Sequence, residues 1–101
     1  MKNKKAENKQ KAKTAALSWS DNAWDDYISW QATDPQVVLK INELIDECLK
    51  DPFRGTGKPE PLKGDLSGFW SRRIDRQHRL VYLPDNDCIY AAACRYHYDD
   101  K

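Results

Sequence analysis

Long apolar runs are missing from this sequence. No stretch free of charged residues exceeds seven positions, Tyr27 to Thr33 being one of that length, whereas a bilayer-spanning helix needs roughly 20. A membrane protein is therefore not expected. Residues 1–16 are lysine-rich and lack the apolar centre of a secretion signal. Cysteine is scarce: Cys48, Cys88 and Cys94 form no C-x-x-C pair, which argues against a disulfide scaffold and against a structural zinc site. Were Cys88 and Cys94 on one strand, they would stand about 20 Å apart, too far to bond. His, Cys and Asp are nowhere clustered as metal ligands, so neither a metal nor another cofactor is expected. These absences describe a soluble cytoplasmic domain with free thiols. With 101 residues, the chain has room for one domain and a small core, burying roughly 60–65% of the surface that its unfolded form exposes.

Net charge of one sign is also lacking, since 17 Lys+Arg stand against 16 Asp+Glu. The balance hides a strong asymmetry. Residues 1–16 carry +5, residues 17–51 carry −6, residues 52–81 carry +4 and residues 82–101 carry −2. A basic middle third beside an acidic, helix-patterned third suggests one face for a polyanion and another turned away from it.

The first sixteen residues hold no large apolar side chain after Met1 and cannot bury a face, so a disordered arm is expected there. Leu17-Ser18-Trp19 reads as a short strand. Ser20 is a helix N-cap with Asp21 favourable in the first turn. Trp24, Tyr27, Ile28 and Gln31 then recur at helical spacing, the first three forming an apolar stripe. Asp34-Pro35 restarts a helix, and Val37, Val38, Ile41, Leu44, Ile45, Cys48 and Leu49 give it one broad apolar face. Asp51-Pro52 should end it. Phe53 to Gly68 reads as a loop of unusual length for so small a domain. Phe69 to Asp75, His78 to Leu83 and Cys88 to Tyr96 follow as strands, the last two joined through a turn at Pro84-Asp85-Asn86-Asp87. The expected class is α+β, with two N-terminal helices packed on one face of an antiparallel β-sheet. The four tryptophans are assigned mainly to the core.

Candidate chemistry gathers in the basic region and the tail: Glu60 in K-P-E-P-L-K, Arg72-Arg73, His78-Arg79, and R-Y-H-Y at Arg95 to Tyr98. A carboxylate, guanidinium groups, an imidazole and a phenol are what RNA cleavage through its own 2′-hydroxyl requires. A base takes the 2′ proton, cations stabilise the charge on phosphorus oxygens, and an acid protonates the leaving 5′ oxygen. Duller roles stand beside these. Glu60 can be a solvated loop charge, and the arginines can blunt an edge strand or pair with the acidic helices. His78 competes with His97 for any histidine role. Trp70 is either packing or a stacking platform for a base. Strand alternation would send His97 and Tyr98 to opposite faces unless the chain has left the strand.

From Leu17 to Tyr98 the chain resembles the YoeB-type toxins of the RelE superfamily, the ribosome-dependent mRNA interferases of type II toxin–antitoxin systems. The resemblance rests on W-D-D-Y (Trp24 to Tyr27), K-I-N-E-L-I (Lys40 to Ile45) and D-P-F-R-G-T-G-K-P-E-P-L-K (Asp51 to Lys63). L-S-G-F-W-S-R-R-I (Leu66 to Ile74), H-R-L-V-Y (His78 to Tyr82) and A-C-R-Y-H-Y (Ala93 to Tyr98) extend it. It implies a compact microbial RNase-like fold over residues 17–98; the lysine-rich arm at 1–16 and the short acidic tail at 99–101 are read from composition and lie outside it. It further implies metal-independent cleavage of mRNA in the ribosomal A site, leaving a 2′,3′-cyclic or 3′-phosphate end. The family's carboxylate base falls on Glu60, its phosphate-stabilising arginine on Arg79, its proton donor on His97 and its terminal tyrosine on Tyr98. Lys58, Lys63 and Arg73 fall on RNA-gripping positions. The implied partners are mRNA on the ribosome, a YefM-like antitoxin, operator DNA through the antitoxin complex, and a second copy in a homodimer. Asp99 and Asp100 depart from the family pattern; carboxylates beside a histidine raise its pKa and repel phosphate. The alternative is a non-catalytic protein that binds nucleic acid or the ribosome, or acts as a co-repressor.

Overall fold

Side-chain caps set the helix boundaries. Ser20, in extended backbone, accepts the Ala23 N–H on its hydroxyl oxygen at 2.9 Å and opens helix α1 (Asp21–Thr33). The same hydroxyl donates to the Ala92 carbonyl at 2.8 Å, tying the helix start to the sheet. Asp34 serves two helices. Its N–H closes α1 on the Trp30 carbonyl, and its carboxylate accepts from Gln36 N–H to open α2 (Pro35–Lys50), with Pro35 in the first helical position. The computed structural model describes residues 16–96. The arm expected over 1–16 (Ala16 apart), the tail at 99–101, His97 and Tyr98 lie outside them.

The strands are β1 (Leu17–Trp19), β2 (Glu60–Pro61), β3 (Trp70–Arg73), β4 (Arg79–Asp85) and β5 (Cys88–Ala93). Among the described residues they form one sheet in the order β1-β5-β4-β3-β2. Pairing is antiparallel throughout except at β1, which lies parallel to β5 with Leu17 opposite Ile89. Parallel pairing follows from the connection, because α1 and α2 cross the sheet face between the two halves of the chain. The long loop is less irregular than the sequence suggests. Glu60-Pro61 joins the sheet edge and Gly64–Leu66 forms a 3-10 turn. The hairpin turn tightens to Asn86-Asp87, with Asn86 at φ 58°, so that Pro84 and Asp85 belong to β4.

Helix α2 buries the face its spacing predicts: Val37, Ile41, Leu44, Ile45 and Cys48, with Val38 and Leu49 half-buried beside them. These meet Leu80, Tyr82, Ile89, Ala91 and Cys94 from the sheet. Helix α1 departs from expectation. Its buried residues are Ala23 and Trp30, while Trp24 and Ile28 are 47% and 45% exposed. Trp24 instead stacks with Tyr27 and meets Trp19 edge-on, forming an aromatic cluster at the surface. The tryptophans are thus divided between core and surface.

The loop after α2 is organised by Arg72, which is 0% exposed. Its guanidinium donates to the carbonyls of Thr56 (2.9 Å), Asp51 (2.7 Å) and Arg54 (2.7 Å), and through Nε to the Tyr82 hydroxyl at 3.1 Å. The Tyr82 hydroxyl donates in turn to the Pro52 carbonyl at 2.6 Å, and burial pushes its pKa up. Arg72 therefore neither blunts an edge nor pairs with a helix carboxylate; it replaces water for a whole loop. Replacing it with methionine leaves three carbonyls without their donor. Arg72→Met should lose about 3–5 kcal/mol of stability, read as a lower urea midpoint. A loss below about 1 kcal/mol would show that the loop holds without it.

Burial also raises two thiols, Cys48 from 9.0 to about 11 and Cys94 from 9.0 to about 12, with Arg72 partly offsetting the first and Asp26 adding to the second. The folded protein keeps these protons where the unfolded chain would release them. Stability is therefore complete below the ordinary thiol value and declines as pH climbs towards the folded values. Each thiol should contribute about 1 kcal/mol of loss by about pH 10. Urea titrations across that range would measure the decline, and Cys94→Ala should make it shallower.

Candidate active site on the uncovered sheet face

Strand alternation sorts the basic segment between two faces. Trp70, Arg72, Leu80 and Tyr82 point towards the helices, where Leu80 and Tyr82 join the main core. Residues of the other parity, Ser71, Arg73, Arg79 and Val81, point to the face that the helices leave uncovered. The pairing register carries β2 into this pattern: Glu60 stands opposite Ser71, Ser71 opposite Val81, and Arg73 opposite Arg79. A small apolar cluster of Leu62, Val81 and Ala93, with Leu66, Phe69 and Ala92 against it, covers part of that face. Glu60, Arg73 and Arg79 lie beside this cover.

Two strand spacings and a two-residue offset put the Cα atoms of Glu60 and Arg79 about 12 Å apart. Glu60 and Arg73 are exposed. Arg79 is 8% exposed, its guanidinium held by two bonds from Nη1, to the carbonyls of Asp75 (2.9 Å) and His78 (3.1 Å). Both acceptors are neutral, so they orient the guanidinium without cancelling its charge. Among the described residues, neither arginine has a carboxylate within ion-pair distance, and Glu60 has no cation.

Backbone conformation places the remaining basic residues. Gly57 sits at φ 89°, and a Cβ there would meet Leu44 Cδ2 at 2.9 Å and the Arg73 carbonyl at 3.2 Å, so this crossing needs glycine. The Gly57 carbonyl accepts from Arg73 N–H at 2.7 Å, which docks the loop on β3 just ahead of Lys58. Lys58 is exposed with φ 51°, and Lys63 is exposed at the start of the 3-10 turn. Both flank Glu60 along the chain, outside β2. His78 points inward, its ring 4.8 Å from that of Trp30, and Trp70 is half-buried against Phe53. Neither is an open platform for chemistry.

The organising role of Arg72 and the contacts of His78 escaped the sequence analysis. Parity held the signal, since Arg72 alternates with Trp70 and Ile74, and His78 with Leu80 and Tyr82. Among the described residues, no group of three His, Cys, Asp or Glu side chains could hold a metal ion, and no helix is long and apolar enough to cross a membrane.

A family model described as the YoeB-like toxin of bacterial type II toxin-antitoxin systems matches residues 19–98. The toxin YoeB of Escherichia coli is 61% identical over 82 residues, spanning 81% of this chain and 98% of that protein. A YoeB/ParE toxin from Agrobacterium tumefaciens superposes with a TM-score of 0.77 at 50% identity, over 81% of this chain and 98% of that one. A toxin chain from the heterotetrameric YoeB–YefM toxin–antitoxin complex of Staphylococcus aureus gives 0.76 at 44% identity, over 81% and 95%. With four-fifths of its length matched in sequence and in fold, this chain belongs to the YoeB-like toxins of bacterial type II toxin–antitoxin systems.

Proposed function

We propose that the protein is an endoribonuclease that cuts mRNA in the ribosomal A site by 2′-hydroxyl attack and so halts translation. The observation that carries this is the pair Arg73 and Arg79, opposed on neighbouring strands of an uncovered face that also bears Glu60. Like charges placed directly opposite destabilise a sheet; an anion between them reverses the sign. A phosphodiester is such an anion, and the nearby carboxylate supplies the base that its 2′-hydroxyl needs.

Glu60 takes the 2′ proton as general base. Arg79 stabilises the charge growing on the phosphorus oxygens, its guanidinium already oriented by the Asp75 and His78 carbonyls. Preorganised charge of this kind acts without reorganisation during the reaction. His97 donates a proton to the leaving 5′ oxygen, and Tyr98 shapes the site around it. Tyr96, one peptide bond before His97, accepts the Arg79 N–H on its carbonyl at 3.1 Å, which supports a short path between the two groups. Lys58 and Lys63, which flank Glu60 along the chain, and Arg73 on the face hold the RNA strand. The chemistry runs on these side chains without a metal. The physiological counterpart is a YefM-like antitoxin, as in the Staphylococcus aureus complex, and toxin and antitoxin together occupy operator DNA.

Primer extension on translating ribosomes tests the assignment. Arg79→Ala, Glu60→Gln and His97→Gln should each slow cleavage by roughly 10²-fold or more. Equal cutting by Arg79→Ala and His97→Gln would remove their roles. Arrested translation with intact mRNA in the wild type would make the protein a binding factor instead.

The grip on RNA is separable from the chemistry. Lys63→Ala and Arg73→Ala should each reduce the slope of log affinity against log salt by about 0.7 for a single strand. Fluorescence anisotropy of a labelled oligoribonucleotide reads this directly; unchanged slopes would exclude phosphate contact at those positions.

A further inference from the structure

The chain leaves β5 through a strained turn. Tyr96 sits at φ 67°, left-handed backbone that a bulky side chain seldom adopts. Such a conformation persists where its surroundings over-determine it. Here its N–H donates to Nδ1 of His78 at 2.8 Å, and its carbonyl accepts the Arg79 N–H at 3.1 Å. His78 is fixed in turn. Its own N–H donates to the Asp75 carboxylate at 2.7 Å, and its ring meets Trp30 edge-on. The two residues before Tyr96 are also tied down: Trp30 Nε1 donates to the Cys94 carbonyl at 2.9 Å, and the Arg95 guanidinium lies over the Trp30 ring at 4.3 Å.

A backbone N–H can only donate, so Nδ1 of His78 must present a lone pair, and the ring is neutral with its proton on Nε2. A proton on Nδ1 would set two donors against each other. Among the described residues, charged groups around this contact include Asp75 in the turn before β4, Arg79 on β4, Arg95 across Trp30, and Asp26 of α1, whose carboxylate accepts from Cys94 N–H at 3.2 Å.

We propose that His78 is a positioning residue: its neutral imidazole, holding the Tyr96 N–H, fixes the backbone from which His97 departs beside Arg79. Resting on the nuclease assignment above, this predicts that the bare Nδ1 is needed for full turnover although His78 touches no substrate. Loss of the acceptor should reduce the cleavage step, and leave ribosome binding unchanged.

Two variants and two readouts test it. His78→Ala removes the acceptor and should lower single-turnover cleavage about tenfold or more, with the toxin concentration for half-saturation of ribosomes unchanged. His78→Asn offers a carbonyl oxygen near the place of Nδ1 that no proton can block, and should restore most of the loss. Independently of cleavage, hydrogen exchange should show the Tyr96 amide protected in the wild type and exchanging faster in His78→Ala. In His78→Asn most of that protection should persist. A Tyr96 amide that exchanges freely in the wild type, or a folded His78→Ala protein that cuts like the wild type, overturns the proposal. A wild type that cuts nothing while its Tyr96 amide is protected only with the His78 acceptor in place sinks the nuclease assignment and upholds the hold of His78 on Tyr96.

Discussion

A buried cation holds this fold's functional half in place. Arg72 has no exposed surface, and its bonded partners are three carbonyls and a phenol rather than a carboxylate. Burying a charge is costly unless hydrogen bonds replace its water, and here four do. Only a guanidinium has enough donors in a fixed fork to gather Asp51, Arg54 and Thr56 from one loop at once. A loop of that length would not choose one path unaided. With its carbonyls pinned, Gly57 arrives on Arg73 N–H, and Glu60 inherits its register opposite Ser71. The place of the candidate base is therefore set from the far side of the sheet.

The pleat of the sheet turns neighbouring residues to opposite purposes. Arg72 faces the helices and holds the loop, while Arg73 faces outward. His78 packs on Trp30, while Arg79 lies on the uncovered face. Each adjacent pair joins a scaffold residue to a candidate for the proposed chemistry, so a change on the inner face would be felt on the outer. A bulge adds to this. Val81 pairs with Ala93 and Tyr82 with Ala91, leaving Ala92 unmatched. An extra residue reverses the parity of the strand beyond it and increases its local twist. Cys94 consequently reaches the core and the following residues leave the sheet at the foot of β4, where Arg79 begins.

How far the sequence reveals this depends on whether a residue's role is periodic. Helix α2 was legible because seven apolar residues repeat at helical spacing, and Asp34-Pro35 marks its start. The strands after Gly68 were legible to within two or three residues, and so was the class of fold. Helix α1 was misjudged because Trp24 and Ile28 satisfy the period yet join a surface cluster, while the core takes Ala23 and Trp30. Parallel pairing of β1 depends on the crossover, which local pattern cannot show. Glu60, Arg73 and Arg79 were candidates by residue type, with a solvated loop charge as the other reading of Glu60; family resemblance gave them roles, and the pairing register puts all three on one face. Arg72 was hidden by its own chemistry, since a guanidinium among carbonyls has the same letters as one in water.

The geometry of the uncovered face explains how opposite charges can share it without cancelling. At about 12 Å between Cα atoms, Glu60 and Arg79 make no ion pair with each other, and across water their attraction is screened over roughly 10 Å. Were they closer, a salt bridge would hold both side chains and withdraw the base. Were they farther apart, one phosphodiester could not lie between them. Arg73 sits directly across from Arg79, so the face keeps a mutual repulsion that a phosphate would relieve under the proposed function. On the proposed chemistry, that relief is greatest where the phosphorus oxygens gain charge. The same opposition that weakens the empty sheet would thus favour the transition state over the bound ground state.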